Sequence, residues 1–229
     1  MPLDLNEPVL CLVTDRTRLG CVDVEGLLRF IRLAVTGGVD LVQIRERDLS
    51  DRDFSDLVQR AVEQTQGSGT RIIVNDRMDI ALSCGAAGVH LRGDSVATKR
   101  IRAHTPADWI VGRSVHSLAE AKDVVSEAEL DYVFLGSVFE TLSKPGNQPL
   151  GVGILREVAA ALPVPVLGIG GVTLERVELV ATAGAGGLAA IGLFAELAKV
   201  SFSEFRSVIE NIRGRWKTTS PMKTVTSLK

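Results

Sequence analysis

Short, mostly apolar runs alternate with longer amphipathic stretches along most of this chain. Residues 41–44 and 132–135 are two of the apolar runs. Over residues 23–35, apolar side chains recur every three or four positions, which predicts an amphipathic helix. Alternating strands and helices predict a parallel sheet, because each crossover helix returns the chain to begin the next strand in the same direction.

Eight strands are predicted, and a predicted helix follows each of them. They lie at residues 9–14, 41–44, 71–74, 88–91, 109–112, 132–135, 166–169 and 188–191. The count of eight and the length of 229 residues favour a closed (β/α)8 barrel, an α/β fold, over an open doubly wound sheet. We predict a single barrel over residues 1–216 and a disordered tail over residues 217–229, which is rich in Thr, Ser and Lys.

Glycines end the last two predicted strands, each at the start of a helix. Gly170 and Gly171 follow strand seven, and Gly192 follows strand eight directly after Ile191. Bare backbone N–H groups and helix dipoles favour negative charge, and in such barrels this corner binds phosphate. The glycines could instead serve only to permit tight turns. We predict a phosphate site at Gly170, Gly171, Ile191 and Gly192.

Polar residues follow the other strands at what would be the same face of the barrel, where TIM-barrel enzymes bind and react. Arg45 and Arg47 are two positions apart on an extended backbone, so their side chains should point to the same side. Both are therefore predicted to face the open end of the barrel at the carboxyl ends of the strands. His116 is the predicted acid/base group, because imidazole changes charge near neutral pH. His90 fits a hydrogen-bonded core position, and His104 lies at a helix end. The remaining strand-end residues are Asn75, Asp76, Asp94, Ser114, Thr141, Ser143 and Lys144.

The segment of residues 137–151 is the longest of these loops. Its length and glycine content favour a lid over the mouth. Lys144 would supply a cation to a phosphate or carboxylate, with a solvated surface lysine as the alternative.

Composition narrows the functional classes. Aromatic residues make up 4% of the chain, so the core must be mainly aliphatic. A net charge of −2 lacks the positive excess that is typical of proteins that bind nucleic acid. The three cysteines lack metal-binding spacing, which favours free thiols in a reducing compartment. No apolar run is long enough for a membrane span and no leader is evident, so we expect a soluble, cytoplasmic protein with no membrane partner. We further expect a homodimer.

Seven strand-end motifs resemble the thiamine phosphate synthase/TenI superfamily. They are VTDR, QIRERDLSDR, IIVNDRMDIA, GVHL, VGRSVHSLAEA, DYVFLGSVFETLSKPG and GIGGVT, in family order over roughly residues 9–195. The resemblance implies a thiamine-pathway barrel that handles a thiazole phosphate. It also implies two alternative activities, because the superfamily has two branches.

The synthase branch joins hydroxymethylpyrimidine diphosphate to thiazole phosphate and uses magnesium. The motifs shared with it are carried here by Gln43, Arg45, Asn75, Asp76, Ser114, Thr141, Ser143, Lys144, Gly170 and Gly171. Its HLGQxD motif is altered, since Gly93 replaces the glutamine and Ser95 the metal aspartate. Arg47 stands where that branch has lysine. Asp76 and Asp94 are the carboxylates left for magnesium, and Arg92 brings positive charge to that position.

The TenI branch resembles this chain more closely, in IRERD, GRSVHSLAEA and VFETxxKxG. Some of its members are thiazole tautomerases, which aromatise a thiazole carboxylate phosphate by moving a proton and need no metal. The resemblance assigns that proton transfer to His116, the phosphate to the glycine corner, and the carboxylate to Arg45 or Lys144. We therefore predict a tautomerase, with the magnesium-dependent synthase as the first alternative and a non-catalytic regulatory binder of phosphate ligands as the second.

Overall fold

The computed structural model describes residues 7–21, 23–127, 129–142, 146 and 148–219. Its strands are β1 Val9–Val13, β2 Leu41–Ile44, β3 Arg71–Asn75, β4 Gly88–Leu91, β5 Ile110–Val115, β6 Tyr132–Leu135, β7 Val166–Ile169 and β8 Gly187–Ala190. Its helices are α1 Val24–Thr36, α2 Asp51–Gln64, α3 Met78–Ser83, α4 Thr98–Arg102, α5 Leu118–Glu127, α6 Gly151–Ala161, α7 Val177–Thr182, α8 Gly192–Leu197 and α9 Phe202–Thr219.

The eight strands form a closed parallel barrel in sequence order. Each strand pairs with the next, and β8 closes the ring by pairing with β1, so that Val9 lies opposite Gly187. The predicted (β/α)8 fold is therefore confirmed. Because crossover helices cover its outer face, the barrel wall is apolar on both sides, which explains why the strands read as apolar runs rather than as alternating ones.

The core has two layers, one between the barrel and its helices and one inside the barrel. The inner layer consists of Val9, Cys11, Val13, Leu41, Ile73, Ile110, Tyr132, Phe134, Leu167 and Ala189. Gly112 makes room for the ring of Tyr132, since a Cβ there would lie 2.1 Å from that ring. Tyr132 and Phe134 are thus the two aromatic side chains of an otherwise aliphatic inner layer.

His90 joins this inner layer as the predicted core histidine. Its Nδ1 lies 2.9 Å from the Tyr132 hydroxyl and its Nε2 lies 2.8 Å from Ser114 Oγ. Burial, with the charge of Arg113 as a smaller cause, lowers the pKa of His90 to about 3. His90 is therefore a neutral hydrogen-bonding group that holds Ser114 in place.

Several element boundaries differ from the predictions. Strand β5 continues to Val115, so Ser114 lies within it and Arg113 points outward to donate to the backbone carbonyls of Gly93 and Ser95. A 3-10 turn, Leu174–Arg176, precedes α7, and the side chain of Thr173 before it makes no capping hydrogen bond.

The last helix, α9, runs to Thr219, three residues into the predicted tail. Residues 220–229 lie outside the described part of the chain. Within the described part, none of the helices combines the length and the hydrophobicity that crossing a lipid bilayer would take. All three cysteines are unpaired, as predicted.

Candidate active site

A cavity of about 750 Å³ opens at the carboxyl ends of the strands, and we call it the mouth. It brings together most of the predicted site residues. Those that line it are Arg45, Arg47, Asn75, Asp94, Ser114, His116, Thr141, Gly170, Gly171, Ile191 and Gly192. Asp76 is not among the lining residues, and Ser143 and Lys144 lie outside the described residues. The mouth is thus one compartment that every strand end approaches.

The two arginines after β2 both line the mouth, as their spacing predicted. The residues between and after them turn the other way: Glu46 and Asp48 bind Arg16, with Nη1 of Arg16 3.0 Å from Oε2 of Glu46. Burial, followed by the nearby charge of Arg47, lowers the pKa of Arg45. Two adjacent guanidiniums on one wall favour an anionic ligand there.

Below these arginines, Gln43 and Asn75 form the polar floor of the mouth. Gln43 Nε2 donates to Asn75 Oδ1 over 3.0 Å. Gln43 is 2% exposed, and its Oε1 has no hydrogen-bond partner among the described residues. A buried acceptor without a partner is costly. A ligand N–H or O–H donor at this level of the mouth would satisfy it.

His116 lies just past β5, and its ring is held in a defined orientation. Nδ1 lies 2.6 Å from the carbonyl oxygen of Gly136. A carbonyl oxygen can only accept, so Nδ1 carries the proton and, in the neutral ring, the lone pair lies on Nε2. Glu120 accepts from the backbone N–H of His116 over 2.7 Å and fixes the turn. The ring is therefore set up as a base at the edge of the mouth.

The glycine corner lies next to this histidine. Gly170 and Gly171 have φ values of +94° and +65°, a backbone region that favours glycine. A Cβ on Gly170 would lie 2.6 Å from the Cβ of Ser137, the residue that follows the carbonyl that holds His116. The predicted base and the predicted phosphate site thus share one packed wall.

The opposite wall, after β3 and β4, carries the carboxylates that the synthase branch would use for magnesium. Arg92 Nε lies 3.0 Å from Asp76 Oδ2 and 2.9 Å from Asp94 Oδ1. Ser95, at the metal-aspartate position, donates its hydroxyl to Asp76. The described residues contain no group of three or more His, Cys, Asp or Glu side chains arranged to hold a metal.

These residues do not fit a magnesium ion. Magnesium needs several oxygen ligands in near-octahedral geometry, but a guanidinium already lies between the two carboxylates. The hydrogen bond from Arg92 lowers the pKa of Asp94, as binding of a cation does. The internal cation therefore satisfies the negative charge of this wall.

The loop after β6 contributes Ser137, Glu140, Thr141 and Leu142 to the mouth. Leu142 is 87% exposed at its rim. The later part of the predicted lid contains residues 143–145 and 147, which lie outside the described part. Closure of this loop stays a prediction.

Glu120 and Arg176 are among the charged lining residues that the sequence analysis missed. Both lie on helical segments after a strand, where a charged residue is normally part of a solvated face. The only available signal was their distance of a few residues from His116 and Gly171. That distance does not indicate which way a side chain points.

The fold and the site define a (β/α)8 barrel with an arginine-lined cavity at its mouth. Comparison with known proteins identifies its family. A family described as "Thiamine monophosphate synthase" (TMP-TENI) matches residues 10–194. The chain belongs to this family, an enzyme family of thiamine biosynthesis that includes the TenI proteins.

Named relatives agree with this assignment. The chain is 36% identical over 189 residues to "Putative thiamine-phosphate synthase 2" of Aquifex aeolicus, covering 82% of this chain and 98% of that protein. It is 34% identical to a thiamine-phosphate synthase of a Roseiflexus species, covering 83% and 80%. The thiamine phosphate pyrophosphorylase structure from Pyrococcus furiosus matches with a TM-score of 0.77 and 28% identity, covering 91% and 98%.

Proposed function

We propose that this enzyme is a thiazole tautomerase that moves a proton on a thiazole carboxylate phosphate, with His116 as the base. The observation that carries the proposal is the orientation of His116, whose Nδ1–H bond to Gly136 leaves Nε2 as the basic nitrogen. The arrangement of Arg92 between Asp76 and Asp94 supports a reaction that needs no metal.

The proposed step is an isomerisation, so its atoms balance without an oxidant or a second substrate. His116 Nε2 takes a proton from a carbon of the non-aromatic ring, and the resulting imidazolium returns a proton at the other end of the conjugated system. The electron pair of the broken C–H bond becomes part of the aromatic ring. A positioned histidine contributes about 10²- to 10⁴-fold to such a transfer.

Binding of this substrate needs two anion sites on different walls. The glycine corner, with Gly192 at the start of α8, is suited to the phosphate. Arg45 and Arg47 after β2 are suited to the carboxylate, and a carboxylate there would offset their mutual repulsion. The heterocycle would then lie between these walls and within reach of His116.

Thiamine-phosphate synthase is the second candidate, and the names of the relatives favour it over the tautomerase. One observation also supports it. The buried Oε1 of Gln43 would accept a hydrogen bond from an N–H donor, which the aminopyrimidine of the condensing reaction carries. Under the synthase hypothesis, Arg45 and Arg47 would bind the diphosphate.

One paired assay separates these functions. The purified protein is given the non-aromatic thiazole carboxylate phosphate in EDTA, and aromatisation is followed by ultraviolet absorbance. In parallel it is given pyrimidine diphosphate, thiazole phosphate and magnesium, and pyrophosphate release is measured. The tautomerase proposal expects activity in the first reaction. Pyrophosphate release without aromatisation would replace it with the synthase, and saturable ligand binding without either reaction would indicate a regulatory binder.

The role of His116 is tested by His116→Ala, with His104→Ala as the matched control. His104 is also exposed, but it lies beyond α4 outside the mouth. We expect kcat to fall about 10²- to 10⁴-fold in the first variant and to stay unchanged in the second. Wild-type kcat in His116→Ala would exclude this residue as the base.

A further inference from the structure

Arg176 is a charged residue of the mouth to which neither the sequence motifs nor the proposed reaction gives a role. It ends the 3-10 turn that follows the glycine corner, and its half-buried side chain lines the mouth. A side chain there could have extended to solvent. Instead, two specific contacts hold its guanidinium against the corner.

The first contact is a hydrogen bond, in which Arg176 Nη1 donates to the carbonyl oxygen of Gly171 over 2.6 Å. The second is a cation–π contact, with Cζ of Arg176 4.8 Å from the centroid of the Phe139 ring. The carbonyl positions one edge of the guanidinium and the ring supports its face. Together they hold a long side chain in one orientation without a ligand, which reduces the entropy lost on binding.

Phe139 belongs to the loop after β6, and that loop is packed closely against the glycine corner. The backbone N–H of Phe139 donates to the carbonyl of Gly170 over 3.0 Å. A Cβ on Gly171 would lie 2.2 Å from the carbonyl oxygen of Glu140. The corner, the start of the loop and Arg176 are therefore one packed unit at the wall of the mouth.

The charge of Arg176 is not neutralised within this unit. No carboxylate of the described residues forms an ion pair with it, and Glu196, which also lines the mouth, pairs instead with Lys199 at 3.0 Å. A guanidinium has five N–H donors, and the bond to Gly171 uses one of them. The remaining donors are available to an anion that lies at the corner.

We infer that Arg176 is a phosphate-binding residue of this enzyme, and that its contact with Phe139 links phosphate binding to the position of the loop after β6. This rests on the proposed function only in requiring a phosphate at the glycine corner. Backbone amides would position the phosphate, and the guanidinium would supply the full positive charge that the corner otherwise lacks.

The test measures binding of inorganic phosphate by calorimetry, together with the phosphate-induced rise in thermal midpoint. The variants are Arg176→Gln, Arg176→Lys and Phe139→Leu. Arg215→Gln is the matched control, because Arg215 also donates to a backbone carbonyl of the same turn, Leu174 O at 3.4 Å, but lies outside the mouth.

We expect Arg176→Gln to weaken phosphate binding about 10- to 100-fold, as loss of a charge-assisted hydrogen bond does. Arg176→Lys keeps the charge without the planar fork and should recover part of this loss. Phe139→Leu should cost about two- to fivefold, because the guanidinium loses its aromatic support. Arg215→Gln should bind phosphate as wild type does.

A purely structural role for Arg176 would lower the thermal midpoint without phosphate and leave affinity unchanged, and this result would overturn the inference. Wild-type protein that binds no phosphate would overturn it together with the proposed phosphate site. If phosphate binding is lost in Arg176→Gln but the wild-type enzyme aromatises no thiazole, the inference stands and the tautomerase proposal fails. The loop link is checked by hydrogen exchange of residues 138–142, where phosphate should increase protection in wild type and not in Phe139→Leu.

Discussion

Two charged walls lie side by side at the mouth, because β2 pairs with β3, and their charges are satisfied in opposite ways. On the wall after β2, Arg45 and Arg47 form no ion pair with the described residues, and burial lowers the pKa of Arg45. On the wall after β3 and β4, Arg92 pairs with both Asp76 and Asp94. The positive charge of the first wall is therefore left for a ligand, whereas the charges of the second wall neutralise one another.

This difference shows why a count of charged residues does not identify a metal or anion site. Carboxylates bind a metal only when no side chain already satisfies them, and guanidiniums bind a ligand anion only when no carboxylate does. Arg16, which follows β1, is a further example, because Glu46 and Asp48 neutralise it outside the mouth. The pairing of each charge therefore determines the chemistry of each wall.

The largest effect is expected on the β2 wall. Arg45→Gln should weaken binding of the thiazole carboxylate phosphate about 10- to 100-fold, because it removes charge-assisted bonds from a half-buried site. Arg16→Gln is the control and should leave the affinity close to the wild-type value, because Arg16 lies outside the mouth and pairs there with Glu46 and Asp48. Calorimetric titration measures both. Equal losses in the two variants would contradict the proposed contrast between them.

The second prediction turns one wall into a metal site. Arg92→Gly with Ser95→Asp removes the internal cation and adds a third carboxylate beside Asp76 and Asp94, so the double variant should bind Mn²⁺ where wild type does not. Electron paramagnetic resonance of free Mn²⁺ gives the bound fraction independently of activity. Tight Mn²⁺ binding by wild type would show that Arg92 does not occupy the cation position and would strengthen the synthase candidate.

A third, smaller effect comes from His90 beneath both walls. Its pKa is about 3 in the folded protein, against an ordinary value of 6.5. Between these values the unfolded chain binds a proton that the folded chain does not, so stability falls as the pH falls. The expected contribution is on the order of 1.4 kcal/mol per pH unit.

Urea unfolding at several pH values between about 4 and 8 measures this slope. His90→Gln should flatten it, whereas His104→Gln should not. An unchanged slope in His90→Gln would mean that other groups produce the acid sensitivity.

The smallest effect is expected for Asp94→Asn. The carboxylate of Asp94 is 74% exposed and its partner Arg92 keeps Asp76, so the thermal midpoint should change little. Tautomerase activity should also be retained. A large loss of activity would give Asp94 a role in the reaction that the internal ion pair does not suggest.

Much of the fold could be predicted from residue pattern alone. Eight apolar runs, each followed by an amphipathic stretch, are enough to specify a parallel barrel, because few other arrangements bury both faces of such strands. The common direction of the Arg45 and Arg47 side chains could also be predicted from local geometry, since side chains alternate along an extended chain. The assignment of His90 to the core was confirmed for the same reason.

The sequence by itself determined the barrel, the order of its strand ends and the set of polar residues that meet at the mouth, because these depend on local periodicity and on chain direction. Only the tertiary structure decided which charges remain for a ligand. Three such contacts each join different strand ends: Arg92 pairs with Asp76, the carbonyl of Gly136 sets the tautomer of His116, and Phe139 supports Arg176. Such contacts depend on distances across the barrel, and no local pattern along the chain encodes them.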